Sequence, residues 1–277
     1  MIIENSKMLS AFSQEDAVRY YNSCVDIFLA GGEYKVKKIT FFAKSEEKPL
    51  SDYIQVKEYD DNFLLLGVYT EDEKLVSECM EFVDTIKDNY TEIELRTDFF
   101  SVLDMESVKK RFSYETPEVP ASPVYYIHTR KELAHFLLKE GVNISLFTEK
   151  DKEEIKILAK SGMLDPECMG EGMFNRCTCF SDVKWYILRV HGNIAGYLRA
   201  ECGYQNIYDI GWLFVEPRYR GNGYAKQLVL YFSNHMFDIG AIPHYGFAIC
   251  DESVAVAEKC GFKCDKIKAC GVSLKKM

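Results

Sequence analysis

The sequence has no apolar run near the roughly 20 residues needed to cross a bilayer. Its opening stretch, MIIENSKMLSAFSQEDA, is short on apolar length and carries acids early, unlike a secretion signal, which predicts a cytoplasmic protein. Ten cysteines stand at 24, 79, 168, 177, 179, 202, 250, 260, 264 and 270, without a CxxC pair. Neither Cys177/Cys179 nor Cys260/Cys264 has a histidine at zinc-ligand spacing, so the cysteines read as reduced thiols used as small core residues, with no metal. No GxxxxGK[ST] is present, which excludes a nucleoside-triphosphate P-loop. Residues 1–120 hold 14 basic against 25 acidic residues, a net of −11, while residues 121–277 hold 20 against 18, a net of +2. That balance argues against nucleic acid as a partner.

What is present suffices for a packed core: 277 residues, 47% hydrophobic and 14% aromatic, the length of one large domain or two modest ones. Pro117, Pro120 and Pro123 fall within seven residues of YETPEVPASPVYY and push the chain into an extended connection. The change in charge balance follows the same line. We therefore expect an N-terminal α/β domain over 1–120 and a second domain over 121–277, with its core at about 144–277.

In the first domain a helix is predicted over 14–30, closed by Gly31-Gly32. Strands follow at 35–43, 53–58 and 62–69, a helix at 71–88, a strand at 92–97 and a short helix at 104–112. In the second, PVYYIHT reads as a strand, 130–139 as a helix, and ISLFTEKDKEEIKILAKSG as a short strand and a helix with Thr148 at its cap. VKWYILRVHGNIAGYLRAEC is a hairpin joined by His191-Gly192-Asn193. Then come a strand at 206–217, a helix at 223–239, a buried strand at 244–250, a short helix stopped by Gly261, and a strand over 262–274. The order from 144, β-α-ββ-β-α-β-α-β, predicts a mixed sheet with helices on both faces and no Rossmann array. The β-α-β-α run of 62–112 loosely echoes 206–260, as a degenerate internal copy would.

The most informative stretch is FVEPRYRGNGYAKQL, residues 214–228. A strand entering a helix across glycines leaves the first N–H groups of that helix unpaired, at the positive end of its dipole. Such a place suits a phosphate. Gly221 and Gly223 let the backbone approach an anion, and Arg218, Arg220 and Lys226 surround it with cations. The GxG lacks a third glycine and lies far inside its domain, which speaks against a dinucleotide fingerprint.

Arg218-x-x-Gly221-x-Gly223 after Val215-Glu216-Pro217 resembles the [Q/R]xxGx[G/A] acyl-CoA motif of the GNAT acyltransferase superfamily, and CDESVAVAEKCGF at 250–262 resembles that superfamily's second signature. The AEKCGF form and the N-terminal domain look most like the glycine N-acyltransferase-like branch. The resemblance implies a GNAT fold, acetyl-CoA or another acyl-CoA as co-substrate, and transfer of the acyl group to a small-molecule or peptide amine. It places pantetheine against Leu213, Phe214 and Val215, and pyrophosphate on Arg218, Arg220, Gly221, Asn222, Gly223, Tyr224 and Ala225. Cys250 and Ser253 fall at further CoA positions. Asp209 is the nearest match to the glutamate that serves as base in histone-type members. Alternation puts Tyr197, Arg199 and Glu201 on one strand face, and these with Trp212 are candidate acceptor residues. Ala257 replaces the usual acidic tyrosine and Cys250 the usual asparagine, which opens the alternative of a CoA-binding module without chemistry. Nothing near Cys250 in sequence lowers its pKa as a nucleophile would require. His235 is expected on the solvent side of its helix, and 169–180 near the acceptor.

Overall fold

A computed structural model describes residues 36–43, 53–59, 62–70, 72–97, 114–115, 122–160, 182–202, 206–246 and 248–276. The helices expected at 14–30 and 104–112, and the segment 169–180, lie outside the described residues. The chain divides into two compact units, Met1–Val124 with Cys264–Met277, and Tyr125–Lys263. The last strand thus groups with the N-terminal unit, where a boundary at 120/121 had left it with the C-terminal one.

In the first unit β1 (Val36–Ala43), β2 (Tyr53–Tyr59) and β3 (Phe63–Tyr69) form an antiparallel meander. Helix α1 (Glu73–Ile86) then crosses over to β4 (Glu92–Thr97), which lies parallel to β3. Leu75, Cys79, Met80 and Val83 recur at helical spacing and are buried on Ile54, Val56, Leu64, Leu66 and Ile93. The short β5 (Tyr114–Glu115) and β4 both pair antiparallel with β12 (Lys263–Lys276).

In the second unit the strand order is β6 (Ser122–Tyr126), β11 (Ile242–Tyr245), β10 (Ile207–Val215), β9 (Asn193–Cys202), β8 (Asp182–Val190) and β7 (Val142–Leu146). The β8–β9 connection is a two-residue turn, with His191 at φ 49 and Gly192 at φ 87, the type I′ geometry that suits a twisted hairpin. Helix α3 (Tyr224–Asp238) crosses from β10 to β11, which lie parallel. One sheet face packs on α3 and α4 (Asp251–Cys260) through Leu228, Val229, Phe232, Met236, Ala257 and Cys260. The other carries Trp185, Ile187, Ile194 and Tyr197 against Ile155 of α2 (Glu149–Lys160). This is a mixed sheet with helices on both faces.

Three local expectations are corrected. Residues 130–139 form no α-helix: a 3-10 turn at Arg130–Glu132 ends at Leu133, whose ψ of 140 is extended. Glu132 accepts the backbone N–H groups of His128 and Thr129 and also pairs with Lys263, while the Ala134 N–H turns away to the Cys260 carbonyl. Tertiary hydrogen bonds thus outcompete the helical ones. His235 is half-buried, its Nδ1 2.8 Å from the Tyr186 hydroxyl, because β8 passes beneath α3. β11 ends at Tyr245 and does not run on to 250. Among the described cysteines, Cys79, Cys202 and Cys260 are buried and Cys250 and Cys264 exposed. Burial pushes the Cys79 and Cys260 thiols up to about 12.

Candidate active site

β10 pairs with β11 over only three residues, Ile207–Asp209 against Ile242–His244. From Ile210 to Val215 its ladder, among the described residues, runs to β9 alone. The two parallel strands therefore part beyond Asp209, leaving one edge of β10 open as far as the glycine turn. Gly211 is an extra residue in the β10–β9 ladder, since Ile210 faces Ala200 and Trp212 faces Arg199. Such a bulge bends the strand.

At the point of parting, cross-strand register lines up a polar row. Glu201 on β9 faces Asp209 on β10, Asp209 faces His244 on β11, and His244 faces Tyr126 on β6. His244 Nδ1 is 2.8 Å from Asp209 Oδ1, and the Gly246 N–H donates to the same oxygen at 2.6 Å. A carboxylate only accepts, so Nδ1 is the protonated ring nitrogen. Buried His244 is one site-forming residue the sequence reading missed; a lone histidine in a short strand carries no pattern that would mark it.

The neighbouring row is Trp185, Arg199 and Trp212. Arg199 forms an ion pair with Glu201, and its guanidinium lies 5.8 Å from the Trp185 ring centroid. Glu201 is raised above the usual carboxylate range, mainly by burial; the Arg199 charge opposes this and the Asp209 charge adds to it. Trp212 is 46% exposed on the open stretch of β10. Tyr197, expected at the acceptor, is instead fully buried: it stacks on Phe214, 5.4 Å away, and meets the Trp185 ring at a 45° tilt, 5.6 Å away. It supports the site from within the sheet.

At the end of β10 the chain turns through Pro217–Tyr219 into α3. Gly221 and Gly223 have φ of 78 and 76, the left-handed region that side chains resist. α3 starts with no side-chain cap and no acid in its first turn, and the first α3-side N–H with a backbone partner is that of Gln227, to Gly223. A Cβ at either glycine would meet open space. The N–H groups of Tyr224 and Ala225 thus stand at an accessible positive end. Arg220 Nε donates to the Val215 carbonyl and its guanidinium lies 5.9 Å from Phe214, which extends the Tyr197–Phe214 stack. Arg218 is ion-paired with buried Glu216 at 2.6 Å, and Asn222 bonds the Tyr219 and Arg220 carbonyls. Lys139, which the sequence reading missed, reaches the Asn222 carbonyl and sits 5.6 Å over the Tyr224 ring. The corresponding helix start in the first unit is already satisfied: Asp72 caps α1 and accepts from the Lys74 and Leu75 N–H groups.

In the second signature Cys250 stands exposed at the N-cap of α4 without a side-chain cap bond, and Ser253 Oγ lies 2.7 Å from the Tyr245 hydroxyl. Burial, above all, pushes that hydroxyl up to about 12. Ala257 is fully buried and offers no proton. Gly261 ends α4 at φ 97, and a Cβ there would run into the Glu132 carbonyl. Among the described residues no group of three His, Cys, Asp or Glu could hold a metal ion, and no helix is long and apolar enough to cross a membrane.

Residues 153–262 match the Acetyltransferase (GNAT) family. Solved structures extend the likeness to both units. A Drosophila protein is 12% identical, with 99% of this chain and 97% of that one aligned at a TM-score of 0.61. A GCN5-related N-acetyltransferase from Sphaerobacter thermophilus is 13% identical over 98% and 92% of the two chains, at 0.55. A tandem GNAT protein from the clavulanic acid biosynthesis pathway is 12% identical over 99% and 95%, at 0.51. The chain has the GNAT fold. A search of curated protein sequences gave no match. The family match spans both GNAT elements described above, the parting strands with the glycine turn and the α4 signature ending at Phe262.

Proposed function

We propose that the protein is an acyl-CoA-dependent N-acyltransferase that moves an acetyl group from acetyl-CoA to a primary amine by direct attack. The observation that carries this reading is the open edge of β10, which leads from a buried carboxylate pair to an uncapped helix start. Leu213, Phe214 and Val215 offer that edge to the pantetheine amides. The turn from Arg218 to Ala225 takes the pyrophosphate, with Arg220 and Lys139 as its cations. Because Arg218 is tied to Glu216, its share of the phosphate charge is reduced. Cys250 and Ser253 at the start of α4 flank the pantetheine. Trp212, Arg199 and Glu201 face the acceptor, with Tyr197 supporting them.

The attacking nitrogen must be neutral, so a proton leaves it near the carboxylates of Asp209 and Glu201. The amine lone pair adds to the thioester carbonyl, the C–S bond breaks, and the thiolate leaves with little help because thiols of this kind ionise near pH 8.5. Buried Ala257 is therefore compatible with turnover.

The first unit is a degenerate copy in this reading. It repeats the antiparallel meander and single parallel crossover of the second unit, with Asp72 in place of the glycine turn. That a tandem GNAT protein is among the similar solved structures supports this reading. We place the enzyme in the cytoplasm and nearest the glycine N-acyltransferase-like branch.

A CoA-release assay tests the proposal, with acetyl-, propionyl- and longer acyl-CoA against amines, amino acids and peptides. Release above the uncatalysed rate supports it. Thermal stabilisation by acyl-CoA with no turnover for any amine would instead favour a CoA-binding module, the reading suggested by Ala257.

A further inference from the structure

β11 is held between β6 and β10, and its parallel ladder with β10 closes on the pair Asp209 and His244. Two positions on, the Gly246 N–H does not continue that ladder; it donates to Asp209 Oδ1 at 2.6 Å. His244 Nδ1–H donates to the same oxygen at 2.8 Å. The stretch 244–246 thus clamps one carboxylate oxygen with both a side chain and a backbone donor. Asp209 takes the place of a ladder bond where the strands part. A carboxylate oxygen offers two lone pairs, so Oδ1 is filled. Both hydrogen bonds that Asp209 accepts from the described residues end on Oδ1, which leaves the lone pairs of Oδ2 to a ligand. Gly246 also keeps the space beside the carboxylate clear, since a Cβ there would lie 2.9 Å from both oxygens. His244 itself is fully buried, with Asp209 opposite it on one side and Tyr126 on the other. Its ring is fixed, whereas an unheld aspartate turns broadly about χ2 and exchanges its oxygens.

We propose that His244 is a positioning residue: it holds Asp209 by Oδ1, so that Oδ2 stands at the parting of β10 and β11 to take the proton of the acceptor ammonium. This rests on the acyltransferase reading above. R–NH3+ gives a proton to Oδ2, and the freed R–NH2 attacks the thioester carbon to form the C–N bond. The C–S bond then breaks, the departing thiolate takes up the proton shed by the new amide nitrogen, and Asp209 returns its own proton to solvent. His244 neither gains nor loses a proton in this sequence. Its contribution is orientation, where a misplacement of about 1 Å can cost about a hundredfold in rate.

Asparagine and leucine separate this role from packing. The two side chains have the same shape and remove the same part of the ring, but only asparagine keeps an N–H on the atom bonded to Cγ, as Nδ1 is. The full-length protein is assayed for CoA release from acetyl-CoA with an amine that the wild type accepts, and rates are counted per acetyl-CoA site found by calorimetry. H244L is expected to lower kcat at least about tenfold with the KM for acetyl-CoA unchanged, and H244N to stay within about threefold of wild type. Because His244 acts through Asp209, the double variant D209N/H244L should be no slower than D209N. If H244L fails to fold, H244N decides by itself: a kcat within about threefold of wild type supports the assignment, and a tenfold fall with acetyl-CoA binding intact overturns it. A 15N spectrum of the wild type needs no variant and should show a protonated Nδ1 on His244 while the enzyme is active; a bare Nδ1 overturns the assignment. No turnover by the wild type with any amine overturns both this assignment and the acyltransferase reading. Wild-type turnover with equal losses in H244N and H244L, or with no loss in H244L, overturns the His244 assignment alone.

Discussion

Replacing Gly246 by alanine tests how tightly the carboxylate row is built. A Cβ at this position would lie 2.9 Å from both Asp209 oxygens and 3.1 Å from its Cγ, where ordinary contact begins near 3.4 Å. The carboxylate must therefore retreat by about 0.5 Å, a shift of the size that overpacked sites undergo. Asp209 is no free chain end that can swing aside. Its Oδ1 is pinned by the Gly246 N–H at 2.6 Å and His244 Nδ1 at 2.8 Å, and its side chain is 13% exposed. Overpacking of a buried site costs about 1–3 kcal/mol. That should lower the melting temperature by about 3–9 °C.

The catalytic consequence follows from the same displacement. A misplacement of about 1 Å can cost about a hundredfold in rate, so half of that predicts a loss of about tenfold. Acetyl-CoA affinity should hold, because the glycine turn is built from other residues. Differential scanning fluorimetry with and without acetyl-CoA, and a CoA-release assay, supply all three readings. An alanine variant with wild-type melting temperature and rate would falsify the account of a tightly held Asp209.

Three further perturbations separate binding from stability. Gly221→Glu places a side chain at φ 78 and a negative charge beside an uncapped helix start, and should weaken acetyl-CoA binding at least about tenfold, measured by calorimetry; Gly221→Asn, which tolerates the left-handed region, should bind nearly as well as wild type. Gly261→Ala combines φ 97 with a clash against the Glu132 carbonyl, and should cost about 2–5 kcal/mol, seen as a fall in melting temperature or in soluble yield. Asp151 is held below its usual value: burial acts to raise it, but the Arg189 bond and the Thr148 hydroxyl and amide outweigh burial. A depressed carboxylate stabilises the fold above its unfolded pKa and loses that contribution as pH falls through the folded value. Glu132, lowered to about 2 first by its bond to Lys263, behaves likewise. Melting temperature should therefore fall as pH drops from about 4.5 towards 2, and Arg189→Met, costing about 1.5–3 kcal/mol at neutral pH, should flatten that decline.

Periodicity made the second unit's fold legible wherever one residue type dominates an element. The apolar face of α3, with Leu228, Val229, Phe232 and Met236, is buried as its spacing predicts, and the His191-Gly192 turn closes the hairpin. KELAHFLLKE was misleading for the opposite reason. Its residues favour a helix, but the propensity is worth only tenths of a kcal/mol per residue, and the pairing of Glu132 with Lys263 and of the Ala134 N–H with the Cys260 carbonyl decides the conformation. Register was the other hidden quantity. Alternation placed Arg199 and Glu201 on one face, yet no local pattern says that Glu201 faces Asp209 or that Asp209 faces His244. A one-residue bulge at Gly211 changes which side chains meet beyond that point, and a glycine within a strand is compatible with either pairing.

The contrast between the two parallel crossovers explains why one unit would bind CoA and the other would not. Both lead a strand into a helix beside a parallel strand, so both begin with a positive helix end. At α1 the Asp72 carboxylate accepts two of the exposed N–H groups, and the Thr70 hydroxyl accepts the Asp72 N–H. An arriving phosphate there would have to displace a covalently attached anion whose effective concentration no ligand matches. At α3 the glycines supply no side chain, and Lys139 and Arg220 add charge, so the same backbone geometry is left open to an anion from solution. A single change tests the argument in reverse: Asp72→Gly should destabilise α1 by about 1 kcal/mol or less, without lowering acetyl-CoA affinity. If affinity for acetyl-CoA fell with that change, the first unit would have a part in binding that its own capped helix start does not explain.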